Sequence, residues 1–443
     1  MVATSTLCTY QFSLRVKLTH LSLYRVAKEF HEQYLKLDHL SHFSCLIEIQ
    51  SYLTTISRFT DHLPNILWDE PTDPCTPPTV TVHQIHFDMR TLQHEIQHHH
   101  DEFLRIVEED LLFGTKLEDL FPTRGEKEYF EENEHHTTPG HNFMDLPANY
   151  ALFSELRDHI VDMLSQPEWK DKFIHTMSNG RPIYRLSTLN WYLDRHSQAL
   201  KHALWSLYWL NQAMRVTALC NLTLVNPFGR LRTFFTVKDV GAFVQGFGKN
   251  EGRSEGASTE AIDLVPFSMF RGLCALATPI RPFVRDLALQ AFPLQRAEIH
   301  QMEPYLFATG PTRYNGNTVS AIFREFTKVP FGKAFGPRVA CQLSVGIAER
   351  FLPHDLLRPS LHSTQGMSVV QHAQGHSGSI SKDHYAVQKP FSHTPAPAWF
   401  LQESCRASAA TAMFWGFSYK SVSNMSSFYS ILLTFLSVSD CPP

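Results

Sequence analysis

Apolar residues recur at helical spacing along most of the chain. Between Leu21 and Ser57, in LSLYRVAKEFHEQYLKL and LIEIQSYLTTISRF, they fall three and four apart, which predicts two helices with polar outer faces. The segment DEPTDPCTPPTVT, residues 69–81, has four prolines in thirteen positions and separates these from a long helix predicted over 83–113. Residues 114–147 are polar and rich in turn formers, the pattern of an exposed excursion. Helical periodicity resumes over Ala148–Leu164. It is strongest over Leu189–Leu224, where apolar residues are dense enough to predict a helix buried on nearly all sides, the centre of the fold. A shorter helical stretch is predicted after Pro227, then a glycine-rich loop from Gly241 to Gly256, then helices over Ile262–Ala277 and Phe283–Leu306. No alternating strand pattern bounded by hairpin turns is legible. From Pro359 onward Ser, His, Gly and Pro dominate, a composition that does not repay the entropy of ordering and predicts a disordered or loosely attached tail. The expected class is therefore all-α. Its parts are an N-terminal helical region (1–113), the polar excursion (114–147), a helical core (148–358) and a low-complexity tail (359–443).

Composition narrows the function. The 443 residues are 43% apolar and 19% charged, enough to bury a large core. A formal charge of −4 provides no basic field for nucleic acid or an anionic membrane. The eight cysteines are scattered without a CxxC pair, as expected of reduced thiols in the cytoplasm. The first thirty residues gather no apolar core of signal-peptide length, and the run FYSILLTFLSV is well short of the ~20 residues of a membrane span. A cytoplasmic protein without membrane or nucleic-acid partners is expected.

Twenty-five histidines make chance HxxxH spacings common. The sequence HEIQHHHDE includes His94, Glu95 and His98 at HExxH spacing, which on a helix would present two imidazoles to Zn²⁺ with the glutamate as general base. A third ligand could come from Glu126, Glu128, Glu131 or Glu132, but no HExxHxxGxxH extension exists. The motif reads as a histidine-rich, solvated helix face, with a zinc hydrolase as the alternative.

Three later segments carry a different chemistry. In NPFGRLRTFF, Phe228 and Arg232 are four apart and would share a helix face, where an aromatic ring and a guanidinium could stack an aromatic substrate and clamp its carboxylate. In GRSEGASTEAIDLVPF, Gly252, Ser254, Gly256 and Ser258 precede a helix and offer close backbone approach and donors for an anionic group. In RAEIHQMEPYLFATGPTRYNGNTVSAIFREF, His300 lies on an apolar helix, followed by a small-residue loop and a new helix. A haem needs that arrangement: an imidazole for the iron and a loop able to approach a propionate.

Taken in order, these segments, within residues 190–330, resemble the haem-dependent tryptophan and indoleamine 2,3-dioxygenase superfamily, including its monodechloroaminopyrrolnitrin synthase-like members. The resemblance implies an all-α haem-dioxygenase-like bundle holding haem b. It implies His300 as the iron ligand, Arg232 as the carboxylate clamp with Phe228 on the indole, Ser254 and Gly256 lining the haem pocket, and Gly316 and Thr318 in the closing loop, where NGNT replaces a more glycine-rich sequence. It further implies an oxygenase using O₂ on a tryptophan-derived or indole-bearing substrate, in secondary metabolism, with the iron doing the redox step while the protein orients the ring and excludes water. A non-catalytic helical haem-binding protein is the third alternative.

Overall fold

The computed structural model describes residues 66–69, 78–82, 85–121, 130–133, 136–178, 181–211, 214–237, 240–245, 261–352 and 398–417. The chain divides into two units, residues 1–67 and 68–443, and every element below belongs to the second. The helices expected between Leu21 and Ser57 lie outside the described residues, as do Ser254, Gly256 and the tail between 359 and 397.

The described residues are mainly helical, with small antiparallel sheets that the apolar pattern did not announce. The helix expected over 83–113 begins later than its periodicity suggests. A hairpin of β1 (Thr79–Val82) and β2 (Ile85–Asp88) comes first. Asp88 then caps α1 (Met89–Arg105), its carboxylate accepting from the Arg90 and Thr91 amides at 2.7 and 3.2 Å. Met89, Leu92, Ile96, His99, His100 and Phe103 form the buried stripe of α1, three or four residues apart as the period requires. A π-helical turn, Ile106–Leu111, continues it. Gly114, with φ of +90°, ends the run where a side chain would be strained.

Contrary to what their polarity predicts, the described residues of 114–147 are not all exposed. Phe130, Phe143 and Met144 are buried in them, and the Asn149 side chain ties Glu131 O and Phe143 O together at 2.7 Å each. After α2 (Ser154–Ser165) and a hairpin of β3 (Ile174–Ser178) with β4 (Arg181–Tyr184) comes α3 (Leu186–Leu210). It is the central helix, as its apolar density predicts: Leu204, Trp205, Leu207, Tyr208, Trp209 and Leu210 are all buried, so its last turns have no solvent face. It stops at Asn211, short of the expected Leu224.

The helical stretch expected after Pro227 is instead a turn at Gly229 (φ +76°) leading into a three-stranded sheet of β5 (Phe234–Val237), β6 (Val240–Gln245) and β7 (Ala261–Val265). Arg232, Phe234 and Thr236 point inward and Thr233 and Phe235 are only half-buried, a period of two whose inward positions are partly polar. Then follow α4 (Phe267–Ala275), a π turn at Leu276–Ile280 holding Pro279, α5 (Arg281–Ala291), α6 (Arg296–Met302), the minimal hairpin β8 (Ala308–Thr309) and β9 (Thr312–Arg313), α7 (Gly316–Lys328) and α8 (Pro337–Phe351).

The tail is not wholly detached, because α9 (Ala398–Phe414) returns to the core. Ser408 Oγ accepts from the Leu264 amide at 2.9 Å on β7, and the Trp415 indole donates to Trp209 O at 3.2 Å at the end of α3. No helix among the described residues is long and apolar enough to cross a membrane.

Where α4 crosses α1 the backbones approach closely, because Gly272 has no side chain. A Cβ there would lie 2.6 Å from Cε1 of the buried Phe103 ring. Gly272→Ala is therefore expected to cost about 1–3 kcal/mol by overpacking, read as a lowered midpoint in chemical denaturation. An unchanged midpoint would show that the crossing is loose enough to absorb a methyl group.

Candidate functional site

Arg232 is 2% exposed and fully committed. Its Nη2 donates to Glu132, its Nε to Phe234 O at 2.8 Å, and its Nη1 to Asn226 Oδ1 at 3.3 Å. The other Glu132 oxygen accepts from the Thr236 amide at 3.0 Å. Burial pushes the Glu132 carboxyl upward, and the guanidinium opposes that shift. A substrate carboxylate would have to displace Glu132 to be clamped here. Phe228 is 93% exposed, on the turn rather than on a helix. The two residues do not share a face, and the expectation that they do is corrected by the strand geometry.

His300 is on a helix, α6, as expected, but its side chain is 56% exposed, with Nδ1 3.9 Å from Glu303 Oε2. Gly316 and Thr318 form the first turn of α7. Asn315 Oδ1 caps that turn, accepting from the Asn317 and Thr318 amides at 2.9 and 3.1 Å. Their backbone donors are thus partly used by the cap. A porphyrin bound through His300 would need a walled slot around that imidazole. The described side chains leave it largely in solvent, and they do not fit a haem as arranged.

His94, Glu95 and His98 lie on α1 as the motif requires. His94 is 75% exposed, with Nδ1 3.4 Å from Glu95 Oε1, and its ring stacks on His98 at 6.2 Å. Glu132, one of the proposed third ligands, is bound to Arg232. Among the described residues no group of three His, Cys, Asp or Glu is placed to hold a metal ion.

The next turns of the same helix bury their histidines. His99 Nδ1 meets His202 Nδ1 at 2.8 Å across the α1–α3 seam, and the His99 ring stacks on Phe326 of α7 at 4.0 Å. His100 Nε2 meets Ser268 Oγ at 2.8 Å. Desolvation lowers His99 to about 3 and His100 and His202 to about 4, so all three are neutral at physiological pH.

The described structure also holds a crevice between α3, α5, α6 and the β8–β9 hairpin. Its cavity of about 30 Å³ has room for about two waters. With the open mouth the empty space reaches about 330 Å³. His196 of α3 and Arg281 of α5 stand in its wall beside Arg285, Met302 and Glu303. His196 is lowered to about 3, by burial first and by Arg281 second, and its Nε2 has no hydrogen-bond partner. Arg281 is lowered to about 10 by burial and stays protonated at neutral pH. Its Nη1 donates to Glu303 O at 2.5 Å and its Nη2 to Leu306 O, while Nε is unpartnered. The π turn at Leu276–Ile280 ends at Arg281 and sets the start of α5, and such turns recur at functional sites.

None of the residues singled out in the sequence lines this crevice, although Ile299, Met302 and Glu303, neighbours of His300 on and just after α6, do. One signal could have found it: Arg281 interrupts the apolar run LCALATPIRPFV, and Arg285 follows four residues later on the same face. His196 had no distinguishing mark among 25 histidines. Comparison of the chain with protein-family models, with curated proteins and with solved structures returns no match.

Proposed function

We propose that the chain is a mainly helical small-molecule-binding protein whose ligand occupies the crevice between α3, α5, α6 and the β8–β9 hairpin. One observation carries this: two buried polar side chains, His196 and Arg281, each with a nitrogen that has no hydrogen-bond partner, stand together in the wall of one crevice. An unsatisfied buried donor or acceptor costs about 1–3 kcal/mol, which a fold tolerates where it serves recognition. Perturbed titratable groups converging on a concavity are the usual mark of a binding site. The crevice is also built mostly from the segment 190–330 that carries the resemblance to the haem dioxygenases.

The sharper reading, a haem oxygenase acting with O₂ on an indole-bearing substrate, rests on that resemblance. It draws no support from the side chains around His300 or from Arg232. A Soret band in protein expressed with a haem precursor, lost in His300→Ala, would establish a histidine-ligated haem and displace the crevice as the principal site, and substrate-dependent O₂ consumption would then separate the oxygenase from a non-catalytic haem-binding protein.

Met302 is half-buried at the crevice, so Met302→Trp is a plug. In a thermal-shift screen of uncharged, cationic and anionic compounds of small size, at least one class should stabilise the native chain and leave the plugged variant unmoved. A screen without stabilisers, or stabilisers equally effective on the plugged variant, would reject the crevice as the site.

A further inference from the structure

The crevice has an unequal distribution of charge. Arg285 is held by two carboxylates, Nη1 donating to Glu303 Oε1 at 2.7 Å and Nε to Asp286 Oδ1 at 3.2 Å. Asp286 is more than half exposed, so water screens much of its charge. Arg281, by contrast, donates to backbone carbonyls only, Glu303 O and Leu306 O. Glu303 thus carries the carboxylate that balances the wall, and it is already engaged by Arg285. His196, neutral beside Arg281, adds no charge. A buried guanidinium without a carboxylate in contact is a standing electrostatic cost, which a negative charge brought into the adjacent cavity relieves. Val284, Ala288, Ile299 and Ala308 supply apolar wall, and because the enclosed part has room for about two waters, it admits only the head of a ligand and leaves a short hydrocarbon body in the open mouth.

We infer that the crevice takes a small aliphatic carboxylate, its charged head at the inner end in the field of Arg281 and Arg285 and its apolar body toward the mouth. This rests on the crevice being the ligand site, and it assigns the class of ligand. His300, on the outer side of α6, is not in the wall and takes no part.

Three probes of one shape and different charge test it: isobutyrate, isobutyramide and isobutylammonium, titrated by NMR into the native chain and into Glu303→Gln, Arg285→Gln and Met302→Trp. Isobutyrate should bind at least about tenfold more tightly than the amide, the ratio expected for a charge-assisted contact over a neutral one. Glu303→Gln should strengthen that binding severalfold by removing the competing carboxylate. Arg285→Gln should weaken it, and Met302→Trp should abolish it.

Amide or ammonium binding as tight as that of isobutyrate, with all binding lost in the plugged variant, would overturn the carboxylate and leave the site standing. Isobutyrate binding that Glu303→Gln does not strengthen, or that survives Met302→Trp, would likewise overturn it. Should none of the three bind, the stabilisers found in the wider screen decide. Anionic ones acting through the crevice would uphold the assignment, neutral or cationic ones would overturn it, and none at all would remove the site with it.

Discussion

Lowering the pH from 7 to 4 should unfold this protein steeply, and the cause is a set of four neutral histidines, three of them buried and His202 half-buried. His99 and His196 are held at about 3 and His100 and His202 at about 4, against an ordinary value near 6.5, with desolvation the largest cause for each. Because the folded-state values are depressed, the unfolded chain takes up protons below about pH 6.5 that the folded chain refuses. Their contribution to stability is complete above about pH 6.5, falls through the window from 6.5 to about 3, and levels off below it. Each histidine adds up to about 1.4 kcal/mol per pH unit within that window. The His99–His202 pair has a second reason to resist: facing Nδ1 atoms at 2.8 Å allow one proton between them, and a second would set two N–H groups against each other. Around the pair, His98 disfavours protonation of both. Glu95, 3.9 Å from His99, and Glu102 and Glu325 near His202 favour it, and Lys201 opposes it at His202. Urea denaturation at pH 7.5, 6 and 5 checks the slope. The double variant His99→Gln, His202→Gln should flatten it by about two protons in the acid window. A stability unchanged between pH 7.5 and 5 would show that these imidazoles are solvated in the native state.

Those histidines also show how far the sequence could be read. The stripe of α1 and the density of α3 follow from spacing alone, since water is expelled from any helix face that gathers Leu, Ile, Phe and Trp. Hence the class, mainly helical, was legible. Where polar residues are the ones buried, the same reasoning fails. His99 and His100 look like a continuation of the solvated His94–His98 face, yet their partners His202 and Ser268 are 103 and 168 residues away. The strand Phe234–Val237 was hidden because Arg232 and Thr236 take the inward positions, satisfied by a glutamate a hundred residues earlier in the chain. The excursion 114–147 looked solvated for the same reason, its Glu132 and the neighbouring Asn149 being buried with partners that spacing cannot reveal. The crevice combines both problems: His196 is one histidine among many, and Arg281 owes its position to a π turn with no sequence signature.

Removing either partner of the Glu132–Arg232 pair should cost more stability than any exposed charge in the chain. Both side chains are nearly inaccessible, at 4% and 0% exposure. Deleting one leaves an unpaired charge in a place water cannot reach, typically a loss of about 3–5 kcal/mol. Arg232→Ala would also remove the side-chain donors to Asn226 Oδ1 and Phe234 O, leaving Asn226 Oδ1 only the Arg232 amide, and Glu132→Ala would remove the carboxylate that accepts from the Thr236 amide, so the loss should appear as loosening of β5 from the segment before it. The double variant Glu132→Leu, Arg232→Met is expected to recover much of either single loss, because a well-packed apolar pair carries no desolvation penalty. Chemical denaturation of the two singles and the double completes the cycle. A substrate clamp behaves differently: Arg232→Ala would then leave the denaturation midpoint in place and weaken only ligand binding. A midpoint moved by less than about 1 kcal/mol, within the range of exposed pairs, would mean that Arg232 is free in solution to do what a clamp requires. A large shift, relieved in the double variant, would fix its role as holding β5 to the segment before it.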